Sequence, residues 1–178
     1  MKRDLLEDVK IIIPEIFSDE RGNFSETFNQ KKFQEITNTD YSFVQDNKSF
    51  SKKGVFRGLH YQLNQTEGKL VQVLSGEVYD VVVDLRKTSE SFGDWMGTIL
   101  SNDNNKQLWI PPGFAHGFLV LSEMAEFFYK VTDYWSKSDE RCIKWDDEKI
   151  GIKLPEAPIS ISKSDQKGTS FVDADYFL

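Results

Sequence analysis

A chain of 178 residues, 39% hydrophobic with 11 glycines, has ordinary globular composition and is long enough to bury a core, so one domain over 1–178 is expected. Its formal charge of -7 argues against nucleic acid or an anionic membrane as partner, because both reward positive surface. The single Cys142 excludes an intrachain disulfide and implies no zinc site, and no apolar stretch approaches the roughly 20 residues of a membrane span.

The N-terminal stretch "MKRDLLEDVKIIIPEIF" has acids close to its short apolar run and does not read as a signal peptide, so a soluble cytoplasmic protein is expected. The same run is strand-forming, and can add either to a partner's sheet edge or to its own barrel. "NQKKFQEIT" is the clearest helical pattern. His60 follows in "RGLHYQ", on or beside a strand. Two β-rich runs, Lys69–Leu74 and Glu77–Leu85, flank the turn dipeptide Ser75-Gly76. In the second run Val78, Asp80, Val82 and Asp84 share one face, and Tyr79, Val81, Val83 and Leu85 the other. "MGTILS" is a further strand, "SNDNNKQ" a loop, and "LWI" leads into the turn Pro111-Pro112-Gly113. "AHGFLVLS" and "AEFFYKVTDYW" are two more strands, and "DDEKIG" a short helical pattern. Many short strands punctuated by turns predict an all-β protein, a jelly-roll barrel with a few short helices. Such a barrel often holds one ligand inside, which makes ionisable residues on its strands informative.

The chain has two histidines, His60 and His116. Each is either a partly buried ring bonded to backbone or a general base. There is no His-x-His pair and two histidines cannot supply three ligands, so a metal is not expected. Arg57 lies three residues before His60 in an otherwise uncharged run, where a guanidinium suits a phosphate or carboxylate. Arg21 in "DERGNF" and Lys69 in "EGKLVQV" read individually as surface charges or as parts of such a cluster. Tyr129 and Tyr134 are either core aromatics or acids facing a polar cavity. Asp80, an acid within an apolar strand, needs a partner. Asp165 looks like a loop residue. No nucleotide-fold glycine motif is present.

Taken together, "SDERGNFSETF", "FVQDNKSFSKKGVFRGLHYQ", "GKLVQVLSGEVYDVVVDLR", "FGDWMGTILS", "QLWIPPGFAHGFLVLSEMAEFFYKVTDYW" and "IKWDDEKIGI" resemble the dTDP-4-dehydrorhamnose 3,5-epimerase family, in its order and spacing. The resemblance implies a cupin-type jelly-roll homodimer without metal or organic cofactor. It would invert C3 and C5 of dTDP-4-dehydro-6-deoxy-D-glucose, a step toward the activated L-rhamnose of cell-surface polysaccharides. It further implies His60 as base, Asp165 as its partner, Tyr129 as acid on the opposite face, and Lys69 near the developing enolate oxygen. Arg21, Glu26, Gln45, Asn47, Arg57, His116 and Glu140 match the family's nucleotide-sugar site, with a pairing of His116 to Asp80 inferred from the need to satisfy a buried acid. One departure is Ser164, where the family usually has lysine before the dyad aspartate. Lys163 is displaced by one and, in an extended segment, would face the other way. Rival readings are an epimerase of one carbon or of a related sugar, a nucleotide-sugar binding protein without turnover, and a metal-dependent cupin.

Overall fold

A computed structural model of the chain describes residues 1–3 and 6–178. In chain order its elements are β1 (Lys10–Ile12), β2 (Ile16–Asp19), β3 (Gly22–Ser25), α1 (Gln30–Thr37), β4 (Gln45–Lys52), β5 (Val55–Gln62), β6 (Lys69–Ser75), β7 (Glu77–Asp84), β8 (Trp95–Ser101), β9 (Gln107–Ile110), β10 (Phe114–Val120), β11 (Met124–Val131), β12 (Glu140–Cys142) and β13 (Ser160–Ile161), followed by short 3-10 turns at Asp165–Lys167 and Phe171–Asp173. A five-stranded sheet runs β1-β9-β6-β11-β4, and a six-stranded sheet runs β12-β5-β10-β7-β8 with β13 alongside β5. The two sheets enclose an apolar interior of Val71, Val73 and Phe127 from one side and Val78, Val82, Phe114 and Phe118 from the other. This is the predicted jelly-roll barrel.

Ser75-Gly76 is not a hairpin turn. β6 and β7 belong to different sheets, so the turn carries the chain across the barrel. The alternation along β7 holds: Val78 and Val82 face the interior, whereas Val81, Val83 and Leu85 join a second core outside the sheet. Trp145, Ile161, Phe171, Tyr176 and Phe177 cover that outer core. The C-terminal segment, poor in strand and helix signals, is therefore a packing layer on the six-stranded sheet.

α1 forms where predicted. Asn29 caps it by accepting from the Lys31 and Lys32 N–H groups, and Phe33 anchors it edge-on to Trp109 with ring centroids 4.9 Å apart. Residues 146–151 form turns instead of the short helix suggested by "DDEKIG". The Asp147 carboxylate accepts from the Lys149 and Phe171 N–H groups, a local bonding pattern that competes with helix, and Gly151 has φ +67°.

The N-terminal run covers its own barrel, with β1 pairing antiparallel to β9. Beyond it, among the described residues β2 and β3 pair only with each other, leaving Phe17 55% and Phe24 69% exposed. Among the described residues no helix is long and apolar enough to cross a membrane.

Candidate active site

The site is organised by an irregularity in β5. Phe56, Leu59 and Tyr61 all point to the outer core, so strict alternation breaks between 56 and 59. The register with β10 shows the same break: His116 opposes His60 and Phe118 opposes Arg57, which places one extra residue on β5. This bulge turns Arg57 and His60, three apart, to the same inner face, which a regular strand forbids. Gly58 makes it possible, with φ +125° and no room for a side chain. A Cβ there would lie 2.5 Å from Gly117 Cα and 2.7 Å from the His116 carbonyl oxygen. Gly58→Ala is expected to destabilise the fold by about 2–4 kcal/mol, from an unfavourable φ plus overpacking. Urea denaturation measures it, and a parent-like midpoint would contradict the account.

His60 Nε2 and Asp165 Oδ1 are 2.9 Å apart, and the carboxylate also accepts from the Gly58 N–H at 3.3 Å. Asp165 is 5% exposed, held there because its segment is part of the C-terminal layer on β5. Burial pushes its pKa up, but the bond and charge of His60, then the Gly58 N–H and Ser162, outweigh burial and hold the carboxyl below its ordinary value. A depressed carboxyl adds stability above its unfolded pKa, and that contribution is lost as pH falls through the folded value. Asp165 is thus an anion at neutral pH, and when it accepts a hydrogen bond from Nε2–H, His60 Nδ1 keeps the free lone pair.

His116, directly opposite His60 on β10, shares its face. Its Nε2 is 2.9 Å from Asp80 Oδ2, the pairing expected for that acid. Asp80 is fully buried, and burial raises its pKa despite the opposing effects of His116 and Lys69.

The facing wall comes from the five-stranded sheet. Gln45, Val131 and Lys69 lie in one register row, and Asn47, Tyr129 and Val71 in a row two residues on, so all share the inner face. Lys69 is 7% exposed, with Nζ 3.0 Å from Glu67 Oε1. Burial raises the pKa of the Tyr129 hydroxyl, and the carboxylates of Glu67 and Glu140 add to this against the Arg57 guanidinium. Tyr129 is therefore a phenol at neutral pH, able to give a proton. Arg57 Nε donates to Ser51 Oγ at 3.0 Å, and Gln45 donates to Asn47 at 2.9 Å. One end of the barrel thus opposes an imidazole–carboxylate pair to a phenol and an ammonium, the groups needed to take a proton, return one, and steady an oxyanion between.

The family model of dTDP-4-dehydrorhamnose 3,5-epimerase matches residues 4–173. The chain belongs to this family. It is 53% identical over 172 residues to the dTDP-4-dehydrorhamnose 3,5-epimerase of Pseudomonas aeruginosa, covering 96% of this chain and 94% of that one. The dTDP-6-deoxy-D-glucose-3,5-epimerase of Legionella pneumophila, solved with dTDP-4-keto-L-rhamnose, matches with a TM-score of 0.93 at 49% identity, over 96% of this chain and 91% of that one. The 3'-monoepimerase ChmJ of Streptomyces bikiniensis, solved with dTDP-quinovose, matches with a TM-score of 0.88 at 27% identity, over 96% and 87%.

In this epimerase nine of the predicted site residues gather around the barrel end: His60, Asp165, Tyr129, Lys69, Arg57, His116, Gln45, Asn47 and Glu140, the last on β12 beside β5. Arg21 and Glu26 are not brought to it within one chain. Arg21 pairs with Asp19 on the β2–β3 hairpin, and Glu26 pairs with Lys32 at 2.8 Å. Glu26 borders a cavity of about 350 Å³ that also touches Leu70 and Gln107, on the outer face of the five-stranded sheet. Tyr134 is 59% exposed beyond the end of β11. Asp165, which looked like a loop residue, is buried at the start of a 3-10 turn. The stretch from Lys163 to Lys167 is turn and 3-10 helix, not extended. Lys163 is exposed, and Ser164 Oγ donates weakly to Asp165 at 3.5 Å. Two further site groups escaped the sequence reading, Glu67 and Ser51. Neither has a motif; the signal for Glu67 was the need of a buried Lys69 for a counter-charge.

Proposed function

We propose that this epimerase inverts C3 and C5 of dTDP-4-dehydro-6-deoxy-D-glucose, giving dTDP-4-dehydro-L-rhamnose. The observation that carries the mechanism is the His60–Asp165 pair on one sheet opposed to Tyr129 and Lys69 on the other. The C4 ketone acidifies the hydrogens on C3 and C5. His60 takes one of these protons, and the electron pair moves onto the ketone oxygen as an enolate. Asp165 stabilises the imidazolium, and Lys69 faces the oxyanion. Tyr129 then delivers a proton to the opposite face of the same carbon as the C=O re-forms. One proton leaves and one returns, so the sugar's composition is unchanged. Because the ketone is the electron sink, the step draws on neither a metal nor an organic cofactor. Arg57 suits the diphosphate, Gln45 and Asn47 a thymine or sugar edge, and His116 and Glu140 the sugar hydroxyls.

A second reading is inversion of one carbon, favoured by the shared fold of the Streptomyces bikiniensis 3'-monoepimerase. Proton NMR of the substrate with the enzyme in D₂O separates the readings. Deuterium at both carbons with inversion supports the first, deuterium at one the second, and no exchange at either would leave only binding.

The enzyme is further read as a homodimer. The hairpin of β2 and β3 leaves Phe17 and Phe24 in solvent, and Arg21 stands apart from the site that its family position assigns it to. Seating the hairpin on a second copy would cover both rings and bring Arg21 to the partner's diphosphate pocket. Sedimentation at micromolar protein should give twice the 20.6 kDa chain mass. A single 20.6 kDa species would refute the dimer.

A further inference from the structure

The dyad has a neighbour that the epimerisation does not use. β12 pairs with β5 so that Cys142 opposes His60 in register, which puts their side chains side by side. One ring nitrogen of His60, Cys142 Sγ and one carboxylate oxygen of Asp165 all lie within 4.8 Å of one another. The three residues are far apart in sequence and form no spacing motif, so only the fold assembles them.

We propose that this cluster is an inhibitory site for a thiophilic divalent cation, with zinc as the type case. Nitrogen, sulfur and carboxylate oxygen are the donor set that zinc prefers, and three protein ligands plus water complete its tetrahedron. Bond lengths of about 2.0–2.3 Å place ligand atoms of such a tetrahedron about 3.3–3.8 Å apart, so closure needs side-chain movements of only about 1 Å. The His60 side chain is 34% exposed, which gives the ion an entry path. The thiol donates to the Ile143 carbonyl at 3.6 Å, a weak bond to give up. Magnesium and calcium, which require six or more oxygen ligands, do not fit.

Burial, with the carboxylates of Asp165 and Glu140, pushes the Cys142 pKa up to about 12. Without a metal the sulfur is therefore an unreactive thiol, which argues against an oxidation switch at this position. The same negative surroundings favour a cation, and a metal deprotonates its thiol ligand outright. On binding, Cys142 releases its proton to solvent as the metal–sulfur bond forms, and His60 gives a ring-nitrogen lone pair. If that nitrogen is Nε2, which faces Asp165, the ring proton moves to Nδ1, so the basic lone pair is lost whichever nitrogen binds. The base is then occupied, so turnover stops while the metal is bound.

The test uses the full chain freed of metal by chelator, its Cys142→Ala variant, and circular dichroism to establish that both are folded. Cobalt(II) added to the parent should give a thiolate-to-cobalt charge-transfer band in the near ultraviolet, absent in Cys142→Ala. Saturating zinc should lower parent turnover by about 10²-fold or more, the worth of a positioned base, with recovery on adding EDTA. Cys142→Ala, with parent-like turnover in the absence of zinc, should require at least about 10–100-fold more zinc for the same inhibition. Absence of the cobalt band, or an equal zinc midpoint in parent and variant, would overturn the site. The inhibition rests on His60 being the base. A cobalt band in a protein that shows no epimerisation even without zinc would support the cation site while sinking the functional reading.

Discussion

His60→Ala is expected to abolish both inversion and the exchange of substrate hydrogens with D₂O, by at least the about 10²–10⁴-fold that a positioned base contributes. The two losses should coincide because both begin with the same proton abstraction. The variant also leaves the buried Asp165 carboxylate without its imidazole, with the Gly58 N–H and Ser164 still in place. Some stability is therefore lost as well, about 1–3 kcal/mol for a buried acceptor deprived of a partner. Circular dichroism and a urea midpoint separate this from the chemical effect. Asp165→Asn makes the complementary point. It keeps the shape and can still bond to the ring, but removes the charge that favours imidazolium, so turnover should fall while the fold persists. If folded His60→Ala exchanges hydrogens at the parent rate, His60 is structural and the base lies elsewhere.

The parts of this site that were legible in the sequence were those set by local chemistry. The alternation of Val78 to Leu85, the helix read from "NQKKFQEIT" and the buried pairing of Asp80 with His116 follow from residue pattern and the need to satisfy a buried acid. What was not legible depends on packing at a distance. Arg57 and His60 share a face only because Gly58 lets β5 approach Gly117 and insert an extra residue, and a three-residue spacing on a strand otherwise argues against a common face. Asp165 carries no strand or helix signal. It becomes a dyad member because the C-terminal segment is a hydrophobic layer pressed on β5, anchored by residues such as Phe171 and Phe177 that are separated from one another by polar turns. The helix suggested by "DDEKIG" failed for a related reason, since Asp147 spends its carboxylate on the Phe171 N–H of that same layer. The family resemblance assigned Asp165 its role; the residues around it did not.

Tyr129→Phe is expected to uncouple exchange from inversion. If Tyr129 only returns the proton, His60 can still form the enolate in this variant. Its ring can then pick up deuterium from solvent and return it to the face from which the hydrogen left. Substrate should therefore acquire deuterium with its configuration retained, while inversion falls by about 10²–10⁴-fold. The phenylalanine preserves ring packing against Phe127, whose centroid is 6.1 Å away, so little of the loss should come from the fold. The hydroxyl removed belongs to a partly buried phenol whose pKa burial and the neighbouring carboxylates raise, so the parent carries the proton at neutral pH and the variant cannot. A core-aromatic role predicts something else: near-native inversion, or a decrease that tracks lost stability. Folded Tyr129→Phe that inverts C5 at the parent rate would remove Tyr129 from the chemistry. The next donor would then have to be sought among groups already in the barrel, because Tyr134, 59% exposed past the end of β11, does not line the interior between the sheets.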